Sequence, residues 1–423
     1  MTPETVLSAP GSAQLVSPPF DSETFDSSVM RTYGRFAIAL ERGEGVWVWD
    51  TEGRRYLDCV AGIATCTLGH GHPALAAAVT AQINKLHHVS NLYYIPEQGQ
   101  LAQWLTNNSC ADKVFFCNSG AEANEAAIKL ARKYGHQVLK TAQPIILTAK
   151  QSFHGRTLAT ITATGQPKYQ QNFEPLVPGF GYVPFNDFAA LEAEVLKLNA
   201  DGQNVAALLI EALQGEGGVN PGDHNYFQQV RKLCDRHGIL LMLDEVQVGM
   251  GRTGKLWGYE NLGIEPDVFT LAKGLAGGVP IGAMLCKDAY VHLQPGDHAS
   301  TFGGNPLACA SAIAVYQTLE SEELIHNAKT RGESLSKGLQ DIVNRYPQMF
   351  AKARGWGLIQ GLVLQEDADL TAIEVVKAAM NERLLLVPAG PKVVRFVPPL
   401  TITEAEIQTV LERLNAALTT LFR

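Results

Sequence analysis

The chain has no Cys-x-x-Cys pair, no excess of positive charge and no apolar run long enough to cross a bilayer. Each absence removes a class of function. Its seven cysteines, at 59, 66, 110, 117, 234, 286 and 309, are odd in number and scattered. That pattern fits a reducing cytoplasm and small core residues, not a disulfide framework or a structural zinc site. A net charge of -8 leaves neither nucleic acid nor an anionic membrane as an expected partner. Residues 1 to 30 contain no Lys or Arg, so they read as a loosely ordered arm up to about Phe25 and not as a basic targeting peptide. With 423 residues, 46% hydrophobic and 18% charged, the expectation is a globular protein of one large and one smaller domain.

The most informative stretch runs from Ile239 to Lys273. Ile239 to Leu243 are five consecutive apolar residues, the pattern of a strand buried on both faces, and they end in Asp244-Glu245-Val246-Gln247. Open α/β sheets carry their chemistry at such strand ends. A second apolar run, Val268 to Ala272, delivers Lys273 and then Gly274, Gly277 and Gly278. A lysine and a carboxylate on two neighbouring strand ends suit pyridoxal phosphate: the amine engages the aldehyde and the acid keeps the pyridine nitrogen protonated. Between them Gly249 to Lys255 satisfies GxGxxG and nearly satisfies a nucleotide-binding loop. Leu256 stands where that loop needs a hydroxyl, and no helix pattern follows, so a tight glycine turn is the reading.

Other segments fill in the frame. Val46 to Asp50 and Arg55 to Asp58 predict a hairpin around Thr51-Glu52-Gly53. His70-Gly71-His72-Pro73, with His87 and His88, has no matching ligand set, so no metal site is expected; a turn and a helix from Pro73 are. Val114 to Cys117 predicts a strand, and Asn118, Ser119, Gly120 and Ala121 open a helix whose uncovered first-turn amides fit a phosphate, a well-capped helix with nothing bound being the equal alternative from these residues alone. Ile145 to Thr148 leads to Phe153-His154-Gly155-Arg156, an aromatic that could stack on a ring and a guanidinium for a carboxylate. Val205 to Ile210 is another buried strand, ending in Glu211 and the flexible Gly215-Glu216-Gly217-Gly218. Strands alternating with helix-length segments from about residue 110 to 290 predict an α/β fold with a mostly parallel, doubly wound sheet. Ser300 to Pro306 starts an alanine-rich helix, and from about Glu320 helices and strands mix as a smaller α+β domain. There Arg395 lies inside the apolar run Val393 to Val397, where an arginine usually faces a carboxylate.

The wording FFCNSGAEANEAAIKLARK (115 to 133), SFHGRTLA (152 to 159), EALQGEGGV (211 to 219), LMLDEVQVGMGRTGKLW (241 to 257), LAKGLAGGVPIGAML (271 to 285), STFGGNPLA (300 to 308) and VVRFVPPL (393 to 400) resembles the pyridoxal-phosphate-dependent aminotransferases of fold type I, subgroup III. The resemblance runs from about Met30 to the end. It implies an N-terminal arm and hairpin over residues 1-66, a large cofactor-binding domain over 67-319 and a small domain over 320-423. It further implies Lys273 as the amine that holds pyridoxal 5′-phosphate and shuttles a proton, Asp244 on the pyridine nitrogen, Gln247 on the ring oxygen and Phe153 stacked on the ring. Ser119, Gly120, Ala121, His154, Glu245 and Val246 would complete the cofactor site, with Thr301 reaching the phosphate of a second subunit in a homodimer. Arg395 would hold the α-carboxylate of glutamate or 2-oxoglutarate, Arg156 the other carboxylate, and Ser300 and Tyr93 would line the substrate pocket. Glu216 would pair with Arg395 in one half-reaction and release it in the other. The implied reaction moves the δ-amino group of N2-acetyl-L-ornithine to 2-oxoglutarate in arginine biosynthesis. Ornithine, succinylornithine or 4-aminobutyrate as donor, or an intramolecular aminomutase, are the alternatives. One departure, Glu211-Ala212-Leu213 where the family often has a proline, alters a turn and no reacting group.

Overall fold

A computed structural model describes residues 20–422. The arm expected at the start of the chain lies mostly outside these residues. Where it is described, the expectation of a loose arm does not hold: Ser22–Ser28 is a short helix, because the Asp21 carboxylate accepts the amides of Glu23 and Thr24.

The large sheet has seven strands in the order Lys113–Cys117, Gly282–Cys286, Val268–Leu271, Leu240–Asp244, Val205–Glu211, Ile145–Ala149 and Phe180–Val183. All are mutually parallel except Gly282–Cys286, which runs against both its neighbours. The continuous apolar runs make such strands possible, since alternate residues must serve two buried faces. Leu240 and Met242 pack with Ala127, Leu130 and Ala131 of the helix Gly120–Gln137, while Leu241 and Leu243 face the larger core on the other side. The fold is thus α/β, with helices covering both faces.

A second sheet of Phe350–Trp356, Ile359–Leu364, Val393–Phe396 and Val387–Pro388 is entirely antiparallel. It is backed by the helices Leu324–Arg345, Ala372–Asn381 and Glu404–Leu421. The strand Phe350–Trp356 was not expected, because Arg354 and Gly355 break its apolar alternation. The N-terminal hairpin Trp47–Asp50 and Arg55–Asp58 gains Leu40–Glu44 on one edge and Leu384–Leu385 on the other, which ties the start of the chain to its last third.

The glycine run at 249 to 255 forms turns followed by a 3-10 segment at Gly258–Leu262. Its role is packing. Buried Arg252 donates to the carbonyls of Leu358 (3.1 Å) and Pro398, and a Cβ on Gly254 would stand 2.9 Å from the Lys329 backbone. The paired histidines also have local work: His70 meets Asp58 at 2.9 Å and His72 meets Glu322 at 3.3 Å.

Candidate active site

A cavity of about 460 Å³ opens at the C-terminal ends of the parallel strands. Three strand ends converge on it. Asp244 ends the central strand, Glu211 ends its neighbour in the same register, and Lys273 follows Val268–Leu271.

Asp244 is buried and three groups hold its carboxylate. Oδ2 accepts from Asn124 Nδ2 and lies beside His154 Nδ1, both at 2.8 Å, and Oδ1 accepts the Val246 amide at 3.0 Å. Asn124 is itself held by Thr270, whose hydroxyl donates to its side-chain oxygen at 2.8 Å. Such a network fixes a carboxylate in direction. Glu211 accepts the amides of Phe153 and Gly215, each at 3.2 Å. Burial first, and Asp244 second, push its carboxyl well above the ordinary range.

Lys273 stands at φ 39°, a left-handed conformation that costs a side-chain-bearing residue about 1 kcal/mol or more. Burial pushes its amine below the usual lysine value, against the raising effect of Glu216. Opposite it, Ser119 caps the helix Gly120–Gln137, its Oγ accepting the Glu122 amide at 3.2 Å. The amides of Gly120 and Ala121 at this helix start have no acceptor among the described residues. They face the cavity with the positive end of the helix dipole. A Cβ on Gly120 would stand 2.7 Å from Val246, so the close approach of these two walls requires the glycine.

Phe153 and Arg156 form a further wall, with Tyr169 edge-on to Phe153 at 5.7 Å and the Arg156 guanidinium 4.6 Å over the Tyr169 ring. Arg156 is exposed and has no carboxylate in reach among the described residues. Arg395 is fully buried behind the cavity. Its Nη1 donates to Glu216 Oε1 at 2.7 Å and to Gln247 Oε1 at 2.9 Å, while Nε has no partner among the described residues. Burial pushes the Glu216 carboxyl up, but the Arg395 guanidinium and Lys273 outweigh it and hold it below the usual range.

Of the residues singled out in the sequence, Ser119, Gly120, Ala121, Phe153, His154, Arg156, Glu216, Asp244, Val246, Gln247 and Lys273 line this one cavity. Arg395 reaches it through Glu216 and Gln247. Four residues stand elsewhere. Glu245 turns away, its carboxylate accepting the amides of Gly258 and Tyr259 at 2.6 and 2.8 Å, so it anchors the glycine loop instead of the cofactor. Ser300 sits behind Asn118, whose Nδ2 donates to its Oγ at 3.1 Å. Thr301 and Tyr93 are exposed and outside the cavity. Asn124 and Glu211 were missed as site residues. A polar side chain on the alanine face of a helix, and a carboxylate at a second strand end, were the available signals.

A phosphate at the Gly120 amides, a ring nitrogen at Asp244 and an aldehyde within the Lys273 cavity together make a fit for pyridoxal 5′-phosphate. Comparison with known proteins agrees. The chain is 66% identical over 417 residues to an acetylornithine aminotransferase of Nostoc sp., covering 99% of this chain and 98% of that one. The solved N-acetylornithine aminotransferase of Stenotrophomonas maltophilia matches with TM-score 0.80 and 40% identity over 92% of this chain and 97% of that one. The ornithine aminotransferase of Toxoplasma gondii matches with TM-score 0.90 and 31% identity over 94% of each. The family model for aminotransferase class-III spans residues 28–418, and the chain therefore belongs to the class-III aminotransferases, enzymes that use pyridoxal phosphate.

Proposed function

We propose that this enzyme transfers the δ-amino group of N2-acetyl-L-ornithine to 2-oxoglutarate, giving N-acetylglutamate 5-semialdehyde and L-glutamate, as a cytoplasmic step of arginine biosynthesis. The observation that carries the reading is the Arg395–Glu216 pair at 2.7 Å beside the Lys273 cavity. Acetylornithine reacts at the end far from its carboxylate, whereas glutamate reacts next to one. A bare Arg395 would draw in the wrong end of the first substrate. Glu216 covers it for acetylornithine and swings away for glutamate, a movement the glycines on either side of it permit.

Pyridoxal phosphate, when bound, supplies an aldehyde that exchanges for the amine and a ring that accepts electron density. Lys273 takes the proton from the carbon bearing the departing amine and returns it, a role suited to an amine whose charged form burial disfavours. Asp244, held by His154 and Asn124, keeps a proton on the ring nitrogen. Ser119, Gly120 and Ala121 would hold the phosphate, Val246 and Phe153 would flank the ring, and Gln247 would contact its oxygen. Arg156 takes the substrate's distal carboxylate.

A homodimer belongs to the same proposal. Leu92, Tyr93, Tyr94 and Phe302 are 83%, 70%, 104% and 60% exposed, an apolar surface that a second copy would cover. Asn91, next to them, donates to the carbonyls of Ser300 and Gly303, which ties the two segments into one patch. On a partner, Thr301 would reach the phosphate, and Tyr93 and Ser300 the substrate. The division into 1-66, 67-319 and 320-423 remains part of this reading.

The test is an absorbance titration of the purified, cofactor-loaded enzyme. The visible band should bleach with N2-acetyl-L-ornithine, return with 2-oxoglutarate and be absent in Lys273→Ala. A band that ignores acetylornithine and bleaches with ornithine, succinylornithine or 4-aminobutyrate would overturn the donor; no band would overturn the site.

A further inference from the structure

A second cavity, also of about 460 Å³, shares Glu216 with the first and extends to the antiparallel sheet. Its lining is strongly one-sided in charge. Lys168, Lys352, Arg354 and Lys392 border it, against Glu216, already paired with Arg395, and the exposed Glu366. None of the four cations has a carboxylate within salt-bridge distance among the described residues. Arg354 donates to the Gly218 carbonyl through Nη2 at 2.8 Å and Nε at 3.2 Å. Lys392 donates to the carbonyls of Ala368 and Leu370, at 2.8 and 3.4 Å. Lys168 rests 4.7 Å over the Tyr169 ring. Four cations against two carboxylates, one of them already paired, leave the hollow with an excess of positive charge in a chain whose net charge is -8.

We propose that this cavity binds a small multivalent anion of the citrate or phosphate type, and that the bound anion regulates the catalytic cavity. Neither site is needed to build the other, but Glu216 stands in the wall of both. Negative charge in the second cavity repels the Glu216 carboxylate toward Arg395 and holds the cover closed. This second step rests on the role proposed above for Glu216. Its consequence is selective: 2-oxoglutarate, which needs Arg395 free, binds less well, whereas acetylornithine is unaffected.

The experiment is isothermal titration calorimetry of citrate, and separately of inorganic phosphate, into the cofactor-loaded enzyme at constant ionic strength. The expected result is one-site binding that weakens by at least about tenfold in Lys168→Ala/Lys352→Ala. It should be retained in Arg156→Ala. Binding lost in Arg156→Ala but kept in the double variant would assign the anion to the catalytic cavity and overturn the proposal, as would no binding of either anion. Lys352 is exposed, and Lys352→Glu alone repeats the test should the double variant fold poorly. In steady-state assays citrate should raise the KM for 2-oxoglutarate by about fivefold in the wild type and leave the double variant unmoved. An equal rise in the KM of acetylornithine would refute the coupling. Persistence of transamination in the double variant keeps this proposal separate from the catalytic one.

Discussion

Glu216→Gln isolates the charge of the cover from its shape. The variant side chain fits the same space and still offers Arg395 Nη1 an oxygen where the carboxylate oxygen stood at 2.7 Å. What it loses is the ionic part of that bond. A hydrogen bond to a charged acceptor contributes about 1.5–3 kcal/mol and one to a neutral acceptor about 0.5–1.5, so the cover weakens by about 1.4 kcal/mol, or about tenfold in its closed-to-open ratio. Arg395 is fully buried, and Gln247 at 2.9 Å remains as its other partner, so the guanidinium keeps its position. The two half-reactions should then separate when each is followed by the cofactor's visible absorbance. kcat/KM for acetylornithine should fall by about tenfold, because Arg395 now competes for its carboxylate. The glutamate half-reaction no longer has a full ion pair to open and should lose far less, or gain. Equal losses in both would refute the cover and reduce Glu216 to a packing residue.

Asp244→Asn should lower kcat by about 10² or more while leaving cofactor binding measurable, since an amide cannot hold the ring proton; unchanged kcat would remove Asp244 from the chemistry. Gly120→Ala places a methyl 2.7 Å from Val246 and should weaken cofactor affinity by about tenfold, an overpacking cost of about 1–3 kcal/mol. Adding Val246→Ala should restore most of it, and failure to restore would mean that the helix start, not the contact, was damaged. Lys273→Met in the cofactor-free protein tests the buried amine through stability. Its folded pKa is depressed, so the stability it contributes is complete above the unfolded value of 10.5 and is lost as pH falls through the folded one. The variant should therefore melt higher than wild type at neutral pH and converge with it toward pH 10.5; a gain independent of pH would point to relief of packing instead.

The parts that were legible in the sequence are those where one residue type serves one physical need. Five apolar residues ending in Asp244 can hardly be other than a buried strand with its charge at the exit, and that strand runs from Leu240 to Asp244. Ser119-Gly120-Ala121 announced a capped helix start. Glu245 was misjudged because adjacency to Asp244 says nothing about direction: successive strand-end side chains point to opposite faces, and Glu245 therefore meets Gly258 and Tyr259. Asn124 was hidden for the opposite reason, since its partner Asp244 is 120 positions away and only the sheet brings them to 2.8 Å. Tyr93, Thr301 and Ser300 lie outside the cavity, and in the proposed homodimer their use would depend on a second chain, which no pattern within one chain specifies.

The strand Gly282–Cys286 runs against its neighbours, so the chain leaves the sheet after Leu271 and re-enters it at the same end. A parallel return would have needed a crossover over the sheet face, a dozen residues or more in length. Instead the short link carries Lys273 and then Gly278 to Ile281 directly along the cavity, and Gly282 returns so close to the phosphate cradle that a Cβ there would stand 2.3 Å from the Ser119 carbonyl. The link that carries the amine and the helix start at Ser119 are consequently packed against each other at Gly282. On the proposed reading, a change of substrate is therefore made more readily on the other side, at Arg395 and Glu216, where a side chain can be exchanged without moving this packed link.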